Sequence, residues 1–174
     1  FKAYQQRFHV AGRLGGYELS IPLLGQHQLV NAAAAVAALE VLAEKGFDIS
    51  RANIVAGLAG VNWPGRLQII SRQPLIVVDG AHNPDAARRL RESLEQYFDF
   101  ERAILVIGAS DDKDIAGVIS GLAPIFDEVI VTRSHHPRPM APSAIVAGFA
   151  RHGVKTKVVD DISSALSEAL ALAG

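Results

Sequence analysis

The strongest constraint on the fold lies after residue 66. Short, unbroken apolar runs at 67–70, Leu75–Val78, Ile104–Ile107 and 129–131, with a weaker one at Val158-Val159, alternate there with longer helical stretches. Four apolar residues without polar alternation are the pattern of strands buried on both faces. Strands alternating with helices imply parallel pairing through right-handed crossovers. Helices are expected near Pro84–Tyr97, 114–122, 142–151 and 162–172. Only 71–74 separate the first two runs, so that pair is expected to turn back as a hairpin, placing one antiparallel strand at an edge. The expectation for 61–174 is an α/β, Rossmann-like, mostly parallel sheet flanked by helices.

Residues 1–60 read differently. A hairpin is expected over 8–22, with Gly15-Gly16 as a two-residue turn. A helix follows over 28–45, where Leu29, Val30, Val36, Leu39 and Leu42 recur at helical spacing among alanines. Gly46 stops it, and Ser50 is positioned to cap a second, shorter helix through Leu58. Trp63-Pro64-Gly65 breaks the periodicity, and a domain boundary is placed at 60/61.

Composition narrows the function classes. With 174 residues, 49% hydrophobic content, 20% charged residues and a net charge of -1, the chain has no field to draw in nucleic acid or an anionic membrane. No apolar run approaches the roughly 20 residues of a membrane span. Cysteine is absent, which removes disulfides, zinc–thiolate sites and a cysteine nucleophile. The chain opens on Phe1, its one methionine is Met140, and no secretory leader is visible. These features read as a piece of a longer cytoplasmic protein.

In an open parallel sheet, ligands bind beyond the carboxyl ends of the strands. Three loops there are polar. In 79–84, Asp79 can accept ribose hydroxyls, Gly80 and Ala81 allow close backbone approach, and Asn83-Pro84 opens a helix whose N–H groups favour anions. The plainer reading makes Asp79 a turn residue and Asn83 an N-cap. In 108–114, Lys113 can meet a carboxylate or phosphate as a point charge, or simply sit at a solvated helix start. In 132–142, His135 and His136 suggest a metal, but no further ligand stands at a suitable spacing. Upstream, Arg66 can clamp a phosphate or serve as a surface arginine at a strand start. His27 and Asn31 share a helix face, where a carboxamide can read an adenine edge or merely cap the helix.

Taken in order, Leu24-Gly25-Gln26-His27-Gln28-Leu29-Val30-Asn31-Ala32, Trp63-Pro64-Gly65-Arg66-Leu67, Asp79-Gly80-Ala81-His82-Asn83-Pro84 and Asp112-Lys113-Asp114 resemble the folylpolyglutamate synthase / dihydrofolate synthase family of the Mur ligase superfamily. The resemblance implies that 1–60 is the end of a central P-loop ATPase domain and 61–174 a Mur ligase-type carboxyl-terminal domain, its final strand missing. It implies an ATP-dependent ligase of folate biosynthesis and one-carbon metabolism. Such an enzyme adds L-glutamate to a folate or dihydropteroate through an acyl phosphate. By resemblance Asn31, Arg66 and Asp79 contact ATP; His82, Asn83 and Lys113 lie by the glutamate; and Arg66, His82 and Lys113 serve the chemistry. ATP and magnesium are the implied cofactors. The metal ligands belong to a missing amino-terminal part, which also carries the P-loop and is the implied partner.

Two departures stand out: no Gly-x-x-x-x-Gly-Lys-Ser/Thr motif occurs, and Gln28 replaces the family's usual Asn. Alone, the chain is expected to be inactive. A Mur ligase acting on a cell-wall precursor, and a non-catalytic nucleotide- or partner-binding module, remain alternatives.

Overall fold

The computed structural model describes residues 5–173. The chain falls into two compact units, one of residues 1–68 with Val77–Asp79, the other Ile69–Ile76 with Gly80–Gly174.

In the first unit, β1 (Gln6–Ala11) and β2 (Gly16–Ile21) pair antiparallel, with Ala11 opposite Gly16. The turn is four residues, not the expected Gly15-Gly16 pair: Gly12 N–H donates to the Gly15 carbonyl at 2.9 Å, and Gly16 already belongs to β2. The cause is distant in sequence. The buried Glu40 carboxylate accepts from the backbone N–H groups of Arg13 (2.9 Å) and Leu14 (2.8 Å) and from the Tyr17 hydroxyl (3.0 Å). Gly12 leaves room for it, since a Cβ there would lie 2.8 Å from the Glu40 Cδ.

Helix α1 (Gln26–Glu44) buries Gln28, Ala32, Val36 and Glu40, one residue per turn. Helix α2 (Arg51–Ala59) is capped by Ser50, whose side chain accepts from Asn53 N–H. Tyr17, Leu19, Val36 and Ile54 form the core between the hairpin and these helices.

β3 (Gln68–Arg72) and β4 (Leu75–Val78) pair with each other across Gln73-Pro74. In the second unit, β5 (Ile104–Ile107), β6 (Glu128–Val131) and β7 (Lys155–Val158) form a parallel sheet in that order. The α/β class, with a three-stranded parallel sheet flanked by helices and a small antiparallel hairpin, β3–β4, is the architecture observed. Hydrogen bonding nevertheless sets β3–β4 apart as its own two-stranded sheet. Burial explains the difference. Val129, Ile130 and Val131 are fully buried, as a central parallel strand requires, whereas Leu75 and Val78 of β4 are about two-fifths exposed. β7 begins three residues earlier than its apolar pair suggested, because pairing to β6 recruits Lys155 and Lys157.

Helices α3 (Pro84–Tyr97), α4 (Ile115–Leu122), α5 (Pro142–Ala150) and α6 (Ile162–Ala173) complete the unit. Leu105, Ile107, Val129 and Val131 pack with Ile119, Ile145 and Phe149 from α4 and α5. The alternate side chains point to the opposite face, where α6 packs on β5 and β6. Arg102 ties α6 down, donating to the Leu172 carbonyl and the Glu128 carboxylate, both at 2.9 Å.

Candidate functional site

Local backbone chemistry places Arg66 and Asp79. Gly65 adopts φ 73°, and Leu67 follows at φ 44°, a left-handed conformation that a branched apolar residue adopts only under constraint. The constraint is Asp79 at the end of β4, whose Oδ2 accepts from Leu67 N–H at 2.8 Å. Arg66 is thereby fixed between Gly65 and an anchored Leu67. Its guanidinium carbon lies 6.0 Å from the centre of the exposed Trp63 ring, within cation–π range. Among the described residues Arg66 forms no ion pair, so its charge is held in place without being neutralised.

Asn31 sits in the first turns of α1, exposed. Its Nδ2 donates to Gln28 Oε1 at 3.1 Å, and Gln28 Nε2 in turn approaches His27 Nε2 at 3.1 Å. An amide nitrogen only donates, so His27 Nε2 accepts. Gln28, 7% exposed, therefore orients both neighbours. No role for Gln28 is expected from the sequence, although its i,i+3 spacing from Asn31 signals the contact.

The remaining expected residues belong to the second unit, where α3 and α4 start side by side. A Cβ on Gly117 would lie 2.7 Å from Asp114 Oδ2 and 3.0 Å from Pro84 Cβ, and it would strike Pro84 Cγ. One turn on, a Cβ on Gly121 would meet the Ala87 Cβ at 3.0 Å. Glycine at both positions lets the helices approach closely, so the loops leading into them end together. Asn83 caps α3, its Oδ1 accepting from Ala86 N–H at 2.8 Å, and Asp114 caps α4 in the same way from Gly117 N–H at 3.0 Å. The capping reading of Asn83 is thus realised, leaving its Nδ2 for any ligand.

His82 is exposed, with Nδ1 2.9 Å from the Gly80 carbonyl. A carbonyl only accepts, so Nδ1 carries the proton and Nε2 of the neutral ring is an acceptor. Lys113 donates to Asp112 Oδ2 at 2.8 Å. That bond, with a second from Ser110, holds the Asp112 carboxyl well below the usual carboxylate range.

The third loop lies across the second. Ser110 and Pro139 form an antiparallel bridge, Asp111 N–H donates to the Arg138 carbonyl at 3.1 Å, and Met140 N–H donates to the Ala109 carbonyl at 2.9 Å. His135 and His136 of this loop are the pair that suggests a metal. Among the described residues no group of three His, Cys, Asp or Glu side chains is arranged to hold a metal, and no metal ligand is assigned. None of the helices in the described residues is long and apolar enough to cross a membrane.

Polar loops follow β4, β5 and β6 of this α/β domain, and those after β4 and β5 lead into helices whose starts adjoin. Residues 65–174 match the family described as Mur ligase, glutamate ligase domain. The chain is 33% identical to the dihydrofolate synthase/folylpolyglutamate synthase of Mycobacterium tuberculosis over 91% of its length, and 34% identical to that of Escherichia coli over 88%. The same fold occurs in the M. tuberculosis folylpolyglutamate synthase crystallised with ADP and AMPPCP (TM-score 0.87, 32% identity, 96% of this chain and 38% of that one). E. coli FolC with DHPP and ADP is also similar (TM-score 0.75, 30% identity, 91% and 36%). The chain belongs to the folylpolyglutamate synthase / dihydrofolate synthase family of Mur ligases, and it spans 34% of the length of each of those two curated relatives.

Proposed function

We propose that this chain is the carboxyl-terminal part of a cytoplasmic, ATP-dependent ligase that joins L-glutamate to a folate or dihydropteroate. Residues 1–60 would then end a central ATP-binding domain, completed by an amino-terminal part that supplies the P-loop and the magnesium ligands. The observation that carries this reading is the assembly of His82, Asn83 and Lys113 over two adjoining helix starts within a glutamate ligase domain.

ATP supplies the phosphoryl group that converts the acid into an acyl phosphate, and the glutamate amine then displaces phosphate to form an amide. The chain's residues fit the roles this demands. Arg66, un-neutralised and held by its turn, suits the transferring phosphates, where a fixed cation stabilises charge without reorganising. Asp79, at the end of β4 and bonded to Leu67 N–H, suits a ribose hydroxyl. Asn31, oriented by Gln28, suits the adenine edge. His82 Nε2 can take the proton that the attacking amine releases, while the α3 and α4 N-termini and Lys113 favour carboxylate or phosphate oxygens. No side-chain nucleophile is needed, since positioning and charge carry the two steps.

The test uses the full-length protein. Phosphate release from ATP should require both glutamate and dihydropteroate or a reduced folate, and a glutamylated product should appear by mass spectrometry. Turnover with a UDP-linked cell-wall precursor instead of a pteroate acid would overturn the substrate assignment.

A further inference from the structure

We propose that Arg138 recognises a carboxylate of the incoming amino acid, a role that the sequence pattern had directed to Lys113. The inference rests on the reading of this site as a glutamate-ligating one and adds a specificity residue to it.

The Arg138 carbonyl accepts from Asp111 N–H at 3.1 Å, and its own N–H donates to His136 Nδ1 at 3.2 Å, so both of its peptide groups are engaged. His136 is itself held by its N–H to Ser134 Oγ at 3.2 Å. Two residues on, Met140 bonds to the Ala109 backbone and packs against the central core cluster. At the base of the strap, Gly108 admits no side chain: a Cβ there would lie 2.9 Å from the Thr132 carbonyl oxygen and 3.1 Å from Ser134 N. The loops leaving β5 and β6 are thus pressed together, and the Cα of Arg138 is fixed relative to the loop that bears Lys113.

The side chains differ in what they have left to offer. Lys113 is closed on Asp112 at 2.8 Å, with both side chains 36% exposed. A ligand carboxylate would have to share the ammonium with Asp112, which already takes one of its three N–H donors. Arg138 is 64% exposed, and its single carboxylate contact is a long one, Nε to Asp111 Oδ1 at 3.8 Å. Among the described residues its two terminal nitrogens have no carboxylate partner. A guanidinium with those nitrogens open presents the paired donors that match a carboxylate bidentately, which an ammonium cannot do. Asp111 keeps the group oriented toward the loops without closing it off.

The experiment uses the full-length enzyme with Arg138→Ala and Arg138→Lys, each checked by thermal melting. The side chain is exposed and the strap is made by backbone, so melting should match wild type. Arg138→Ala should raise the KM for glutamate by about tenfold or more while the KM for ATP stays within about twofold. Arg138→Lys should recover only part of the loss, because a point charge cannot reproduce the paired bonds. A glutamate KM within about twofold of wild type in Arg138→Ala, with wild-type enzyme ligating glutamate normally, would overturn this inference and leave the functional reading intact. Wild-type enzyme that forms no glutamyl product would remove both.

Discussion

A hydrogen bond joins Leu67 and Asp79, leucine N–H to carboxylate Oδ2 at 2.8 Å, and it closes a turn in which Leu67 sits at φ 44°. The bond has two consequences. It holds a strained backbone that would otherwise relax, and it ties the residue next to Arg66 to the residue proposed for the ribose. Asp79→Ala leaves the N–H of a buried leucine unpaired and should cost about 1–3 kcal/mol. Asp79→Asn keeps an acceptor oxygen and should melt close to wild type. If Asp79 also holds ribose, the Asn variant of the full-length enzyme will show a raised KM for ATP despite normal stability. Equal loss of stability in both variants would show that the carboxylate charge itself, not the acceptor, holds the turn.

Glu40 predicts a pH dependence. Backbone hydrogen bonds from Leu14 and Arg13 and the Tyr17 hydroxyl pull its carboxyl below the ordinary value, against the opposing effect of burial. A group whose folded pKa is depressed contributes stability above its unfolded pKa and loses it as pH falls through the folded one. The hairpin turn should therefore be fully held at neutral pH and loosen below the usual carboxylate range. Amide exchange at Arg13 and Leu14 should accelerate there, after correction for intrinsic rates. Glu40→Gln should weaken the turn at neutral pH and flatten the profile. An unchanged profile in that variant would remove Glu40 as the cause.

Much of the fold is legible in the sequence because the deciding residues are neighbours. Asn83-Pro84 marks the start of α3, Ser50 that of α2, and the uninterrupted apolar run at 129–131 announces a central strand. What sequence could not convey depends on distant partners. Gly15-Gly16 resembles a two-residue turn, but a carboxylate 26 residues beyond Leu14 in the chain draws the turn elsewhere. The site divides along the same line. His82, Asn83 and Lys113 stand in strand-end loops that the topology rules pick out. Arg138 carries no such mark, because its place depends on the pairing of two loops, which no local spacing encodes.

Gly117 tests whether the close approach of α3 and α4 matters. Alanine is favoured over glycine within a helix by about 1 kcal/mol, so an open site would be stabilised. Here the added methyl would strike the Pro84 ring and lie 2.7 Å from the carboxylate that caps the helix. Overpacking of this kind costs about 1–3 kcal/mol. The clash should win, lowering the melting temperature. Because the displaced groups are Pro84 and Asp114, the full-length enzyme should also lose affinity for glutamate. Gly57, where an added Cβ meets nothing, is the control: Gly57→Ala should hold or raise stability.

Asn83 presents two roles on one side chain, and substitution can separate them. Its Oδ1 caps α3 through Ala86 N–H, so Asn83→Ala should cost about 1 kcal/mol of stability. Asn83→Asp retains an oxygen at that position and adds a negative charge at a helix N-terminus, where it is favoured; its stability should equal or exceed wild type. That same charge would face the carboxylates of the incoming glutamate and replace the one group, Nδ2, able to donate to them. If Asn83 contacts the amino acid, the Asp variant will melt normally yet show a raised KM for glutamate with an unchanged KM for ATP. Wild-type kinetics in Asn83→Asp would assign the residue to the helix cap alone and leave His82 as the residue of that loop to place beside the substrate.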